Sequence, residues 1–380
     1  MSLFVVVTRV IYDVRLGFVR TARRLLERRF EAGAENADHL DWILRRLPRR
    51  TIERVAADTA TAPRLAEAFA AHAIERNAGR LLDAAAAHTS EVTKWRRIAA
   101  LRILARGRSA LALPLLQAAL ADPDEDVVDA AVVTLGGMRE EAAGALLVDA
   151  LRHGGGSRVA TQLDQFPLDI AQLLLPLLRD LDPGARYWAV KLLARYADLP
   201  GLPLELATLG GDQDPGVRAA VAETLGRVGG AAAISIVVPL LDDPVPFVRA
   251  HAARALGAQG RPELAALVAG LLDDEEWWVR SGAKQGLEAL GHDATEHVLP
   301  YLESDDEFAR NSAAEILQNT GAADRLVAEL IADPSNGEAR RALRLIIDAG
   351  GDRFGAAMIS RSDAGKERLL ELIDPDGRAA

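Results

Sequence analysis

Three stretches of the chain repeat one pattern of apolar and polar positions: DPGVRAAVAETLG from Asp214, PVPFVRAHAARALG from Pro244, and EEWWVRSGAKQGLEALG from Glu275. Val217, Val248 and Val279 each precede an arginine, and each stands eight residues before a leucine (Leu225, Leu256 and Leu287), with a step of 31 residues both times. Positions zero, four and eight from the valine form one apolar stripe of an α-helix. Positions two, three and six are then expected to face out. They hold Tyr187, Trp188 and Lys191; His251 and Arg254; Ser281 and Gln285; Asn311, Ser312 and Glu315. The residue after the valine position recurs at Arg97, Val128, Arg158, Arg186, Arg218, Arg249, Arg280, Arg310 and Arg340, at steps of 31, 30, 28, 32, 31, 31, 30 and 30. Before these helices lie further apolar runs that end in acidic turns, such as ALALPLLQAALADPDED and ELAALVAGLLDDEE. Asp and Pro in such a turn end one helix and start the next, because the carboxylate accepts from unpaired amides and Pro fits the first helical turn. A period near 30 residues predicts helical hairpins that bury their apolar faces only by stacking.

The ends of the chain depart from the period. In the first thirty residues Phe4, Val7, Ile11, Val14, Phe18, Ala22 and Leu25 form one helical stripe, and seven arginines fill the other positions. This helix has two readings: a cap on the end of the stack, or a basic amphipathic helix lying on an anionic membrane surface. Leu3 to Tyr12 is too short for a span, which takes about 20 apolar residues, and no positive region precedes it as in a secretory signal. The expected organisation is a basic amphipathic helix over 1–35, an irregular helical cap over 36–90, the repeat array over 91–350, and a C-terminal cap helix and tail over 351–380. Within the array, residues 153–168 keep the spacing but lack an evident apolar helix, which predicts a distorted repeat and a bend.

Composition agrees with helix-on-helix packing, since 49% of the residues are apolar but only 4% are aromatic. There is no cysteine, which removes disulfides and thiolate chemistry. The net charge of −10 is unevenly placed: residues 1–110 carry 21 basic and 12 acidic side chains, and the rest carry 24 and 43. A basic end and an acidic body favour partners of opposite sign.

The order of helix, acidic turn, V-R-x-x-A-A-x-x-L-G helix and Gly-containing turn resembles the HEAT repeat family, particularly the short bacterial units of phycobilin lyases. The resemblance covers about residues 80 to 350. It implies an all-α fold, an α-solenoid wound as a right-handed superhelix of about nine HEAT-like helical hairpins, with the second helices lining the concave surface. It also implies that each repeated arginine bonds the aspartate of an adjoining turn. Asp182, Asp214 and Asp306, four residues before their arginines, are the expected partners.

The family comprises scaffolds, adaptors, transport receptors and a few enzymes. The His-Glu pairs of its iron hydroxylases are absent, as are a Gly-rich phosphate loop and a nucleophile elbow. No catalytic residue, metal or cofactor is therefore expected. The leading expectation is a non-catalytic scaffold or adaptor. The alternatives are a HEAT-like DNA glycosylase, which uses aromatics and an aspartate in a basic groove, and a lyase-like chaperone of a modified or cofactor-carrying protein.

The residue before the valine position is Trp95, Phe247, Trp278 or Phe308 in four repeats, with Trp277 adjoining, whereas Gly184 and Gly216 hold the same place elsewhere. Packing does not demand aromatics there, so they are candidates for a partner site. The expected partner-binding set is Tyr187, Trp188, Phe247, His251, Arg254, Trp277, Trp278, Gln285, Phe308 and Asn311. The turns around it are rich in Asp and Glu, which would steer a protein with a basic surface toward it and repel nucleic acid. Arg20, Arg23, Arg24, Arg28, Arg45, Arg46, Arg49 and Arg50 are the candidates for contact with an anionic surface: the first four with a membrane, the last four, beside Trp42, as a solvated helix face or a cluster that binds phosphate and stacks a base. On the membrane reading the protein is cytoplasmic and peripheral on the inner membrane face.

Overall fold

The computed structural model describes residues 44, 45, 47–58, 61, 63–86, 91–350 and 360–374, so the expected helix over 1–35 lies outside it. The chain divides into two compact units between Leu173 and Leu174. The first holds α1 (Arg49–Ala57), α2 (Pro63–Ala86), α3 (Glu91–Arg106), α4 (Ala112–Leu120), α5 (Glu125–Gly136), α6 (Glu141–Arg152) and α7 (Gly156–Asp164). A short turn at the boundary, α8 (Ala171–Leu174), leads into the second unit. That unit contains α9 (Pro183–Leu193), α10 (Leu202–Leu206), α11 (Pro215–Val228), α12 (Gly230–Val237), α13 (Pro246–Gly257), α14 (Ala265–Ala269), α15 (Trp277–Leu290), α16 (Thr295–Val298), α17 (Glu307–Asn319), α18 (Ala322–Ala332), α19 (Gly337–Gly350) and α20 (Asp363–Ile373). Among the described residues there is no strand, and no helix is long and apolar enough to cross a membrane.

Each repeat is a hairpin whose second helix packs against the second helices before and after it. The rows are α3, α5 and α7 in the first unit and α9, α11, α13, α15, α17 and α19 in the second. The valine stripe is the core: Val217, Val221 and Leu225 are fully buried, as are Val279, Ala283 and Leu287. The expectation fails at positions two and three, because Ala219 and Ala250 are buried, and so are Ala220, Gly282 and Ser312. A second helix in a stack is covered on its flanks by two neighbours, which leaves a narrower exposed strip than an isolated amphipathic helix has.

Those flanks come very close between α13 and α15. A Cβ added at Gly257 would lie 2.3 Å from Gly286 Cα, and one at Gly286 would lie 2.5 Å from the Ala253 carbonyl oxygen. Glycine inside a helix ordinarily costs about 1 kcal/mol against alanine. Here it lets two backbones touch.

Except for α18, the first helices of the second unit are short and tighten into 3-10 turns at Leu175–Arg179, Ala207–Gly211, Val238–Asp242, Gly270–Asp273 and Leu299–Glu303. Pro176, Pro239 and Pro300 account for three of these, since proline lacks the amide that continues an α-helix. Ala207–Gly211 and Gly270–Asp273 tighten without proline. The repeat around Gly154 to Gly156 does have the apolar helix that its sequence does not make evident. There α7 buries Val159, Ala160 and Leu163, and Phe166 packs against Gly144. The three apolar positions sit on one face of a helix of 9 residues, too short to stand out as a periodic run.

Candidate interaction surface

The turns that position the surface are held by an arginine ladder. Arg186 donates from Nε and Nη2 to the two carboxylate oxygens of Asp212, 2.8 Å each, and from Nη1 to the Asp180 carbonyl at 2.8 Å. Arg218 repeats this with Asp243 at 2.6 and 2.8 Å and the Asp212 carbonyl at 2.7 Å. Arg249 does so with Asp274 at 2.9 and 2.8 Å and the Asp243 carbonyl at 2.8 Å. In the first unit Arg97 pairs with Asp122.

Each arginine thus joins its own turn to the turn of the next repeat, and the expected partner four residues earlier is not the one used. Asp182, Asp214 and Asp306 instead cap their own helices, accepting from the amides of Ala185, of Gly216 and Val217, and of Ala309. A carboxylate at the N-cap faces its own helix, whereas the long arginine side chain reaches across to the neighbouring repeat. Burial alone would raise the carboxyl pKa values of Asp212, Asp243 and Asp274. The hydrogen bonds from the arginines and backbone amides, together with the arginine charges, outweigh burial and hold all three below the usual carboxylate range.

On these turns the aromatic positions stand out at the starts of α13 and α15. Phe247 is 43% exposed, Trp277 54% and Trp278 50%, and the two indole rings lie 4.3 Å apart between centroids. Phe308 differs: it is half-buried, with the Arg280 guanidinium carbon 4.6 Å from its ring centroid. Trp95, although 62% exposed, belongs to the other unit and has Lys94 Nζ 5.4 Å from its ring. The second unit therefore gathers Phe247, Trp277 and Trp278 on one edge. Asp242, Glu275, Asp305 and Glu307 are exposed in the same row of turns.

The other candidates line the strip along the second helices. Tyr187 and Trp188 on α9 are half-buried and meet edge to face at 5.0 Å. Gln285 on α15 and Asn311 on α17 are exposed. His251 and Arg254 on α13 are half-buried, and the His251 pKa is lowered, first by burial and then by the Arg254 charge.

Glu223 on α11 was not among the sequence candidates, yet it connects this strip. It accepts from Lys191 at 2.7 Å and from Arg227 at 2.9 Å. Lys191 and Glu223 hold the same repeat position in successive units, and that register of opposite charges was the available signal.

Among the arginine-rich candidates of the first unit, Arg45 and Arg50 are exposed and Arg49 pairs with Glu53 at 2.6 Å. Arg20, Arg23, Arg24, Arg28 and Arg46 lie outside the described residues. Among the described residues no cluster of His, Asp or Glu is arranged to hold a metal ion.

The model for HEAT repeats matches residues 80–163, 170–257 and 237–318. The chain belongs to the HEAT-repeat family. No curated protein matches its sequence. Among solved structures, the karyopherin Kap121p bound to the extreme C-terminus of the protein phosphatase Cdc14p is 14% identical, with a TM-score of 0.50 over 93% of this chain and 47% of that one. An engineered protein is 20% identical, with a TM-score of 0.38 over 86% of this chain and 99% of that one. The CpcE–CpcF complex of phycocyanin lyase from Nostoc sp. PCC7120 is 19% identical, with a TM-score of 0.35 over 55% of this chain and 95% of that one. The HEAT chain spans just under half the length of the karyopherin, and that likeness is one of fold: an all-α solenoid.

Proposed function

We propose that this HEAT-repeat protein is a scaffold or adaptor that binds a protein segment along the second-helix surface of residues 174–380. The observation that carries the reading is the edge of Phe247, Trp277 and Trp278, large apolar groups held about half exposed at the starts of neighbouring helices. Water-exposed aromatics on a rigid frame supply contact area at little conformational cost, and such residues dominate the energetics of protein interfaces. The likeness to karyopherins, one of them solved with the C-terminus of a phosphatase bound, is in keeping with a peptide ligand.

The partner we infer is an extended segment with basic side chains. Asp242, Glu275, Asp305 and Glu307 flank the aromatic edge, and none has an ion-pair partner among the described residues. Opposite charge would raise the association rate and orient the segment. The same charges disfavour nucleic acid, whose affinity rests on basic contacts to phosphate.

The test is selection from a displayed peptide library against the full chain, followed by titration of the selected peptides. Basic peptides that quench tryptophan fluorescence, and that lose at least tenfold in affinity to Phe247→Ala/Trp278→Ala at unchanged thermal stability, are the expected result. Selected peptides that bind the double variant as tightly as the parent would reject the assignment.

A further inference from the structure

The rung after Asp274 holds a hydroxyl where the three before it hold a carboxylate, and the next holds Pro334. Asp212, Asp243 and Asp274 each accept the amide two residues on, from Asp214, Val245 and Glu276, at 2.9 Å, and each takes two hydrogen bonds from the arginine of the preceding repeat. The equivalent position before α17 is Ser304. It keeps the local contact, since the Asp306 amide donates to Ser304 Oγ at 3.1 Å. It cannot supply the carboxylate.

The arginine assigned to this rung is Arg280, and it is unlike its counterparts in three respects. Its Nε is buried and has no hydrogen-bond partner. Its Nη1 lies 3.5 Å from Asp306 Oδ2, a long contact beside the 2.6 to 2.9 Å of the other rungs. Its guanidinium rests over the Phe308 ring at 4.6 Å. A second cation faces the same turn, for Arg310 Nη1 donates to the Ser304 carbonyl at 2.7 Å. The rungs at Asp212 and Asp243 likewise lie between two arginines, one from the preceding repeat and one of their own.

We propose that Ser304 is a phosphorylation site, and that phosphate on its Oγ completes the rung by drawing Arg280 into the clamp its siblings make. The reaction is transfer of the γ-phosphoryl group of ATP by a protein kinase. The Oγ–P bond forms, the bond between the γ-phosphorus and the β,γ-bridging oxygen breaks, ADP leaves, and the hydroxyl proton passes to the kinase base. Ser304 is part-exposed in an extended turn and is followed by Asp305, Asp306 and Glu307, a carboxylate run that an acid-directed kinase can recognise. Phosphate brings a charge of about −1.5 to −2 and three acceptor oxygens, which match a guanidinium fork better than a hydroxyl does. The hydroxyl now donates to Asp273 Oδ1 at 3.4 Å, a contact that phosphate exchanges for Arg280, as Asp274 stays ionised beside Asp273, Glu275 and Glu276 through its bonds to Arg249. In the unmodified chain the joint between α15 and α17 lacks the clamp, and phosphorylation closes it, independently of what occupies the aromatic edge.

Two arms test this on the full chain. In the first, phosphoserine is installed at 304 by genetic encoding. Tm should rise by about 3 °C or more, Ser304→Asp should give part of the rise, and Arg280→Gln should abolish it. A phosphoserine that leaves Tm unchanged, or a rise that survives Arg280→Gln, overturns the clamp. In the second, the folded chain is incubated with ATP, magnesium and a kinase that requires carboxylates after its serine. One phosphate mapped to Ser304 is expected. Its absence, when a free peptide of residues 299–310 is modified under the same conditions, overturns the assignment of an accessible site.

Discussion

Asp243 is the rung on which the ladder can be tested most directly. Its side chain is 5% exposed and that of Arg218 is 11% exposed, and the pair makes two hydrogen bonds, at 2.6 and 2.8 Å. Replacing Asp243 by Ala leaves a guanidinium without its counter-charge and the Val245 amide without its acceptor at 2.9 Å. Removing one member of a buried pair costs about 3–5 kcal/mol. Some water reaches the Arg218 side of this pair, so we expect about 3 kcal/mol.

For a unit of this size that corresponds to a fall in Tm of roughly 6–12 °C. Asp214, four residues before Arg218, supplies only a helix cap, and Asp214→Ala should cost about 1 kcal/mol. Replacing both partners, as Arg218→Met with Asp243→Leu, should cost less than Asp243→Ala alone, because no charge is stranded. The assay is urea unfolding of the full chain, with amide hydrogen exchange across α11 and α13 to place the effect. Asp214→Ala costing as much as Asp243→Ala would refute the cross-repeat pairing, and so would an Asp243→Ala cost below about 1 kcal/mol.

Other outcomes follow from the same geometry. Gly286→Ala should destabilise by about 1–2 kcal/mol despite the better helix propensity of alanine, because its Cβ would meet the Ala253 carbonyl; calorimetry showing a gain would contradict the close approach. The depressed carboxyl pKa values of Asp212, Asp243 and Asp274 contribute stability that is complete above the ordinary value of about 3.9 and is lost as pH falls through the lower folded values, so acid titration of unfolding should steepen only below about pH 4. His251 has a depressed pKa in the folded state, so its contribution is complete above about pH 6.5 and declines below it; His251→Gln should flatten the stability profile between pH 6.5 and 5, and an unchanged profile counts against its burial. Co-sedimentation with anionic liposomes should fall when residues 1–30 are deleted if the Arg-rich segment contacts a membrane surface, and retained binding would exclude that segment.

The fold was legible because its signals are local and repeated. Val217, Val248 and Val279 fix the core face, and the aspartates and prolines of the turns mark where each second helix begins. The exposed aromatics at Phe247 and Trp278 were legible for the related reason that neighbouring repeats hold glycine there. What stayed hidden depends on the next repeat. The partner of Arg218 stands 25 residues ahead, and nothing within its own unit distinguishes Asp243 from Asp214 as the acceptor. Burial of Gly282 and Ser312 comes from flanking helices that a single helical wheel leaves out. Phe308 shares its register with Trp278 but is covered by Arg280, whose usual acceptor is absent one turn later.

The ladder also bears on how such an array changes length. The repeats of Arg218 and Arg249 each carry a carboxylate for the arginine behind and an arginine for the carboxylate ahead, six residues apart. A copy inserted in phase would arrive with both halves of its couplings and restore the one it interrupts. Duplication is therefore tolerated without a compensating change elsewhere. A partial unit would leave one ion of each sign stranded, and the charges at the joints select for growth by whole repeats.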